Sequence, residues 1–131
     1  MNEERVQEKL HNYQKALERL QGALNVENPP EYLYDAVIKR FEFTYEMAWK
    51  LMKSFMEYKG GADLRFPRDI FKEAYATGII EDGEVWISML KDRNLTSHTY
   101  DESSARSIYY RVKAIYFVHL TTLKTTLERK L

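Results

Sequence analysis

Apolar residues recur along this chain at spacings of three and four, and the pattern predicts helices from one end to the other. In the first stretch, Val6, Leu10, Tyr13, Leu17, Leu20 and Leu24 form a single stripe backed by charged residues, as in a helix packed on one side. Asn28-Pro29-Pro30 ends it, because proline removes a backbone donor and disfavours helix in the residue before it. A long second helix follows from about Glu31 to Tyr58, closed by Gly60-Gly61. It carries two stripes. Leu33, Val37, Phe41, Thr44, Ala48, Leu51 and Phe55 form one, and Tyr34, Ile38, Tyr45, Trp49, Met52 and Met56 form the other. A helix apolar around so much of its circumference is central, or serves the core and a subunit contact together.

Pro67 sits where a first-turn proline belongs and opens a short helix to about Ala76, stopped at Gly78. The next begins near Asp82-Gly83, carries Val85, Trp86, Met89 and Leu90, and is expected to end at about Arg93. The last opens at Thr99-Tyr100-Asp101-Glu102, which fits the S/T-x-x-E capping box, and turns Tyr109, Val112, Tyr116, Leu120, Leu123 and Leu127 inward. No strand alternation, hairpin signal or internal repeat competes. The expectation is an all-α bundle of four to five helices, a single domain spanning residues 1–131.

Composition narrows the function. The chain has 20 basic and 20 acidic residues and no net charge, which argues against strong nonspecific nucleic-acid binding but leaves room for a local basic cleft. There is no cysteine, so disulfides, thiol catalysis and sulfur-ligated metals are excluded. No apolar run reaches the roughly 18 residues of a membrane span, and Met1 to Gln14 has no apolar signal core. A cytoplasmic address without membrane attachment is the expectation. Ten Tyr, six Phe and two Trp are a heavy aromatic load, of the kind enriched at interfaces as well as in cores.

The chemistry concentrates in Arg93-Asn94-Leu95-Thr96-Ser97-His98 and the following Thr99-Tyr100. This stretch is expected to join two helices, with His98 just before the start of the second. A permanently charged guanidinium and an imidazole that titrates near neutrality suit phosphate chemistry. At a helix start, His98 would stand beside unsatisfied N–H groups that attract phosphate. Arg93 would add bidentate charge, while Asn94 with Thr96 or Ser97 would orient the substrate. An equally simple reading makes Arg93 a helix-terminal cation and His98 a polar loop residue.

Elsewhere, His11 and His119 read as packed or surface side chains, and no His and carboxylate spacing matches a zinc or di-iron signature. No metal and no cofactor is expected. Glu42 and Glu46, one turn apart, are expected to be solvated or paired with Lys39, Arg40 or Lys50. Met47, Met52 and Met56 read as core or interface filler. There is no glycine-rich phosphate loop.

Three segments resemble the HEPN superfamily: Arg40 to Lys53, Pro67 to Tyr75, and Asp82 to Glu102. The likeness is strongest to its subfamily of nucleotidyltransferase substrate-binding proteins. It covers most of the chain, and its most specific element is Arg-x4-His-x-Tyr, met by Arg93, His98 and Tyr100, with the usual polar residue present as Asn94. The resemblance implies an up-and-down bundle that pairs into a homodimer and brings two such motifs to one cleft, where Lys91 would add charge. It implies a metal-independent endoribonuclease toxin with Arg93 and His98 as catalytic residues and RNA as substrate. It also implies a small nucleotidyltransferase partner that acts as antitoxin by adenylylating Tyr100. The subfamily's name implies the rival reading, a non-catalytic subunit that presents a substrate to such a partner.

Overall fold

The computed structural model describes residues 2–98 and 101–131, with residues 97 and 98 as backbone only. Among these the chain is helical throughout: α1 (Glu3–Leu24), α2 (Tyr32–Tyr58), α3 (Pro67–Ala76), α4 (Gly83–His98), α5 (Glu102–Arg111) and α6 (Phe117–Lys130). A π-turn, Val112–Tyr116, joins α5 to α6 without leaving helical backbone, so the described residues form five rods, within the four to five that the apolar pattern predicts.

Local chemistry explains where each rod starts and stops. Asn2 accepts the Arg5 N–H at 2.9 Å and caps α1. Pro67 occupies the first turn of α3. Asp82 accepts the N–H groups of Glu84 and Val85 at 3.1 and 3.2 Å and caps α4. Helix α2 ends in a Schellman motif: Gly61 N–H bonds to Met56 O at 2.8 Å, and Gly60 N–H bonds to Glu57 O at 3.0 Å. Gly60 stands at φ +84°, where a Cβ would be strained. Gly78, at φ +79°, closes α3 in the same way.

Helix α2 is central, packing on α1, α3, α5 and α6. Both of its stripes are used: Val37, Phe41, Thr44, Ala48, Leu51 and Phe55 are buried from one, and Ile38, Tyr45, Met52 and Met56 from the other. Every member of the α1 stripe is buried. Tyr13 lies in that interior and donates its hydroxyl to Leu120 O at 2.7 Å, tying α1 to α6. Burial pushes its pKa up. Phe41, Phe71, Trp86 and Tyr116 are also fully buried, and the Phe41 and Tyr116 rings stack at 5.5 Å.

Candidate functional site

Helix α4 does not end at Arg93. It continues to His98, so the whole Arg93 to His98 stretch is helical and the expected loop is absent there. The reason is local. Nothing between Arg93 and His98 breaks a helix, and Thr96 Oγ1 donates to Arg93 O at 2.8 Å inside the turn. His98 therefore stands at the negative end of α4 rather than the positive end of the next helix.

The start of α5 also differs from expectation. Its cap is Asp101, not Thr99: Asp101 Oδ1 accepts the Ser104 N–H at 2.7 Å. That backbone bond holds the Asp101 carboxyl below the usual carboxylate range. Glu102 follows in the first turn and raises the pKa of Glu31 alongside, first by a shared hydrogen bond and then by repulsion. An end so furnished with carboxylates is no seat for phosphate, which corrects that part of the sequence reading. Thr99 and Tyr100 lie outside the described residues, as do the side chains of Ser97 and His98.

Helix α4 is held by the residue next to Arg93. Asp92 falls three residues after Met89 and six after Trp86, in the inward register of the helix, and is 6% exposed. Arg111 grips it with Nε to Oδ2 and Nη2 to Oδ1, both 2.8 Å. Tyr116 donates its hydroxyl to Oδ2 at 2.5 Å and lies 2.6 Å from Ser88 Oγ. Arg111 and Tyr116 are five residues apart and would lie far round an α-helix from each other. The π-turn between them, closed by Phe117 N–H to Val112 O, is wider and lets both reach one carboxylate. Burial, then the bond to Asp92, pushes the Tyr116 pKa up to about 12.

With Asp92 facing inward, Arg93 faces α2. Its Nη1 lies 3.6 Å from Glu42 Oε2 and its Nε 3.7 Å from Glu46 Oε1. Glu46 is held from its other oxygen by Trp49 Nε1 at 3.1 Å. Glu42 and Glu46 are thus ion-pair partners of Arg93, where the sequence suggested water or Lys39, Arg40 and Lys50. Their spacing of four was visible in the sequence; their partner on another helix was not. Tyr45, buried beneath, has its pKa raised first by burial and then by the Glu46 charge, with Arg93 opposing.

Arg93 lines a cleft of about 450 Å³ with Arg19 of α1 and with Lys39, Arg40, Glu42, Phe43 and Glu46 of α2. Arg40 Nη1 donates to Arg19 O at 2.7 Å and joins the two walls. Arg19, Lys39 and Arg40 carry no motif, and sequence reasoning missed them. Lys91 does not join Arg93. Two residues apart on a helix is a rotation of about 200°, and Lys91 lines the cleft between α3 and α4 with Arg68 and Lys72. Asn94 is exposed and does not line the Arg93 cleft. His11 is exposed and His119 half-buried. Among the described residues no three His, Asp or Glu side chains converge as ligands of a metal ion would, and no helix is long and apolar enough to cross a membrane.

Comparison with known proteins gives a consistent set of likenesses. Residues 8–129 match the family described as nucleotidyltransferase substrate binding protein like. The probable ribonuclease HepT of Haemophilus influenzae is 36% identical over 86 residues, 61% of this chain and 58% of that protein, so the match spans less than two thirds of the relative. A crystal structure of a Thermus thermophilus protein shares the fold with a TM-score of 0.77 at 31% identity, over 89% of this chain and 97% of the other. A Haemophilus influenzae structure described as the fold of a substrate binding domain of a nucleotidyltransferase gives 0.81 at 26% identity, over 91% and 98%.

Proposed function

Because the chain belongs to the nucleotidyltransferase substrate binding protein like family, we propose that it is a metal-independent endoribonuclease, homodimeric and cytoplasmic, silenced by a nucleotidyltransferase partner. The observation that carries this reading is the setting of Arg93. It stands in a cleft with three further cations, and its pairs with Glu42 and Glu46 are longer than charge-assisted hydrogen bonds. A phosphate offers the guanidinium shorter, bidentate bonds. The likeness to the probable ribonuclease HepT supports the same chemistry.

In this mechanism Arg93 clamps the scissile phosphate and neutralises the charge that develops on it. The adjacent ribose 2′-hydroxyl attacks phosphorus and the bond from phosphorus to the 5′-oxygen breaks. His98 follows Arg93 by five residues of α4, a rotation of about 140°, so the pairing of two copies, which brings two motifs to one cleft, is what sets an imidazole and a guanidinium on one phosphate. His98 takes the proton from the attacking hydroxyl or delivers one to the leaving oxygen, with water as the other proton partner, a step typically worth ~10²–10⁴ in rate. The products are a cyclic phosphate end and a 5′-hydroxyl end. Along α4, Ser97 stands one turn after Arg93 and Asn94 one turn before His98, so each orients the RNA beside one of the two catalytic residues. The partner adenylylates Tyr100, and the added bulk and negative charge oppose docking of an RNA phosphate.

The test is cleavage of RNA by the purified chain with chelator present, wild type beside His98→Ala, after mass spectrometry has shown the protein free of AMP. Cutting that leaves cyclic phosphate ends and vanishes in the variant is the expected result. Intact RNA with unmodified wild type would sink the proposal.

A second reading has its own support. The fold neighbour with a TM-score of 0.81 is described as a substrate binding domain of a nucleotidyltransferase, and on that reading this chain presents a substrate to its partner without catalysing. It predicts no cleavage and a complex with the partner that survives His98→Ala.

A further inference from the structure

We infer that the cleft beside Arg93 is the path of a single-stranded RNA, in which Arg19 and Lys39 hold backbone phosphates and the ring of Phe43 takes a stacked nucleobase. The inference rests on the ribonuclease reading for its end point at Arg93. It adds a binding surface built by α1 and α2, outside the motif.

Charge is the first support. The whole chain is neutral, yet this cleft collects Arg19, Lys39, Arg40 and Arg93 against only Glu42 and Glu46. Both carboxylates face Arg93. Arg19 and Lys39 are exposed, and neither takes part in the ion pairs found among the described residues. The cleft is therefore left with an excess of positive charge, which a phosphate backbone complements.

The second support is Phe43. It lines the cleft and is 62% exposed, so the face of its ring is open to a nucleobase. It stands on α2 four residues after Lys39, about one 5.4 Å turn along the same face. That spacing lets a single nucleotide set its base on Phe43 and its phosphate on Lys39. Base stacking on an aromatic ring beside a cationic track is how single strands are held without sequence preference. A duplex keeps its base faces inside its own stack and presents none to Phe43. The predicted ligand is single-stranded.

The experiment is fluorescence anisotropy of a labelled single-stranded 12-nucleotide RNA and of the same strand annealed to its complement, titrated with the full chain carrying His98→Ala to keep the RNA whole. In that background Phe43→Ala should weaken single-strand binding by about 5- to 150-fold, and Phe43→Trp should restore it. Lys39→Ala and Arg19→Ala should each reduce the slope of log affinity against log salt by about 0.7. Sedimentation should give every variant the mass of its parent. The path is overturned if the parent does not bind the single strand, if the variants bind as the parent does, or if the duplex binds as tightly. It is also overturned if Phe43→Ala changes the mass, since the ring would then cover a protein surface. Wild type that binds through Phe43 and Lys39 but never cuts RNA upholds the path and removes the ribonuclease reading. Wild type that cuts, with Phe43, Lys39 and Arg19 variants cutting and binding unchanged, removes the path alone.

Discussion

The Arg111 guanidinium holds the Asp92 carboxylate with two parallel hydrogen bonds of 2.8 Å, and this pair ties α4 to α5. Asp92 is buried while Arg111 is partly exposed, so the two ends of the pair are not equivalent. Arg111→Ala leaves a buried carboxylate with only Tyr116 as donor and should cost about 3 kcal/mol in urea unfolding. Asp92→Ala leaves a cation that water can reach and should cost less, about 1.5–2 kcal/mol. Equal costs would contradict this account of the pair.

Tyr116 couples the same pair to alkaline pH. Its folded-state pKa is pushed up to about 12, against about 10 in the unfolded chain. The group is protonated in both states below pH 10, where its contribution to stability is complete. As pH rises from 10 through 12 the unfolded chain ionises first, and that contribution is lost. Tyr116→Phe should therefore be less stable than wild type at pH 7, and the gap should narrow above pH 10. Urea titrations at pH 7, 9, 10 and 11 check this; a gap that does not change with pH would refute it.

Arg93 and its two carboxylates make separable predictions under the ribonuclease reading. Arg93→Ala should lower the cleavage rate by at least about 100-fold. Arg93→Lys should recover little, since an ammonium has no fork for two phosphate oxygens. The double variant Glu42→Gln and Glu46→Gln removes both of these ion pairs from the guanidinium, and its rate should fall by up to about 100-fold. Initial rates on one RNA at saturating concentration give the comparison, and a faster double variant would mean that the carboxylates restrain Arg93 rather than place it.

Two glycines should respond in opposite directions. Gly60 sits at φ +84° in the α2 stop, so Gly60→Ala should cost about 1–2 kcal/mol. Gly22 lies inside α1 with nothing within 4 Å of an added Cβ. Gly22→Ala should stabilise by about 0.5–1 kcal/mol. Thermal melts of the two variants beside wild type are sufficient, and a stabilising Gly60→Ala would show that the turn is not held at positive φ.

The sequence made the interior legible and the site only in part. Val6 to Leu24 on α1, and Tyr109 to Leu127 on the last rod, are buried as their spacing predicts, because a stripe at helical period has one way to leave water. Asp92 also carried a signal, a carboxylate in the inward register of Trp86 and Met89, but its partners lie on another rod. The end of α4 was misjudged because polar residues after Arg93 resemble a loop, although none of them forbids a helix. The π-turn left no trace in the spacing. It lets Arg111 and Tyr116 reach Asp92 together, a relation between two rods.

The amino-acid sequence by itself determined the course of the helices apart from the end of α4 and the start of α5, their inward faces, and the stops at Gly60 and Gly78. These depend on backbone preferences and on a period that neighbours along the chain share. Tertiary structure alone decided that Arg93 meets Glu42 and Glu46, that Lys91 points to a different cleft, and that Arg19 and Lys39 stand beside the motif. Each of those relations depends on the rotation of one rod about its axis against another. That rotation is set by how the buried side chains of α1, α2 and α4 fit together, which no stretch of a single helix records.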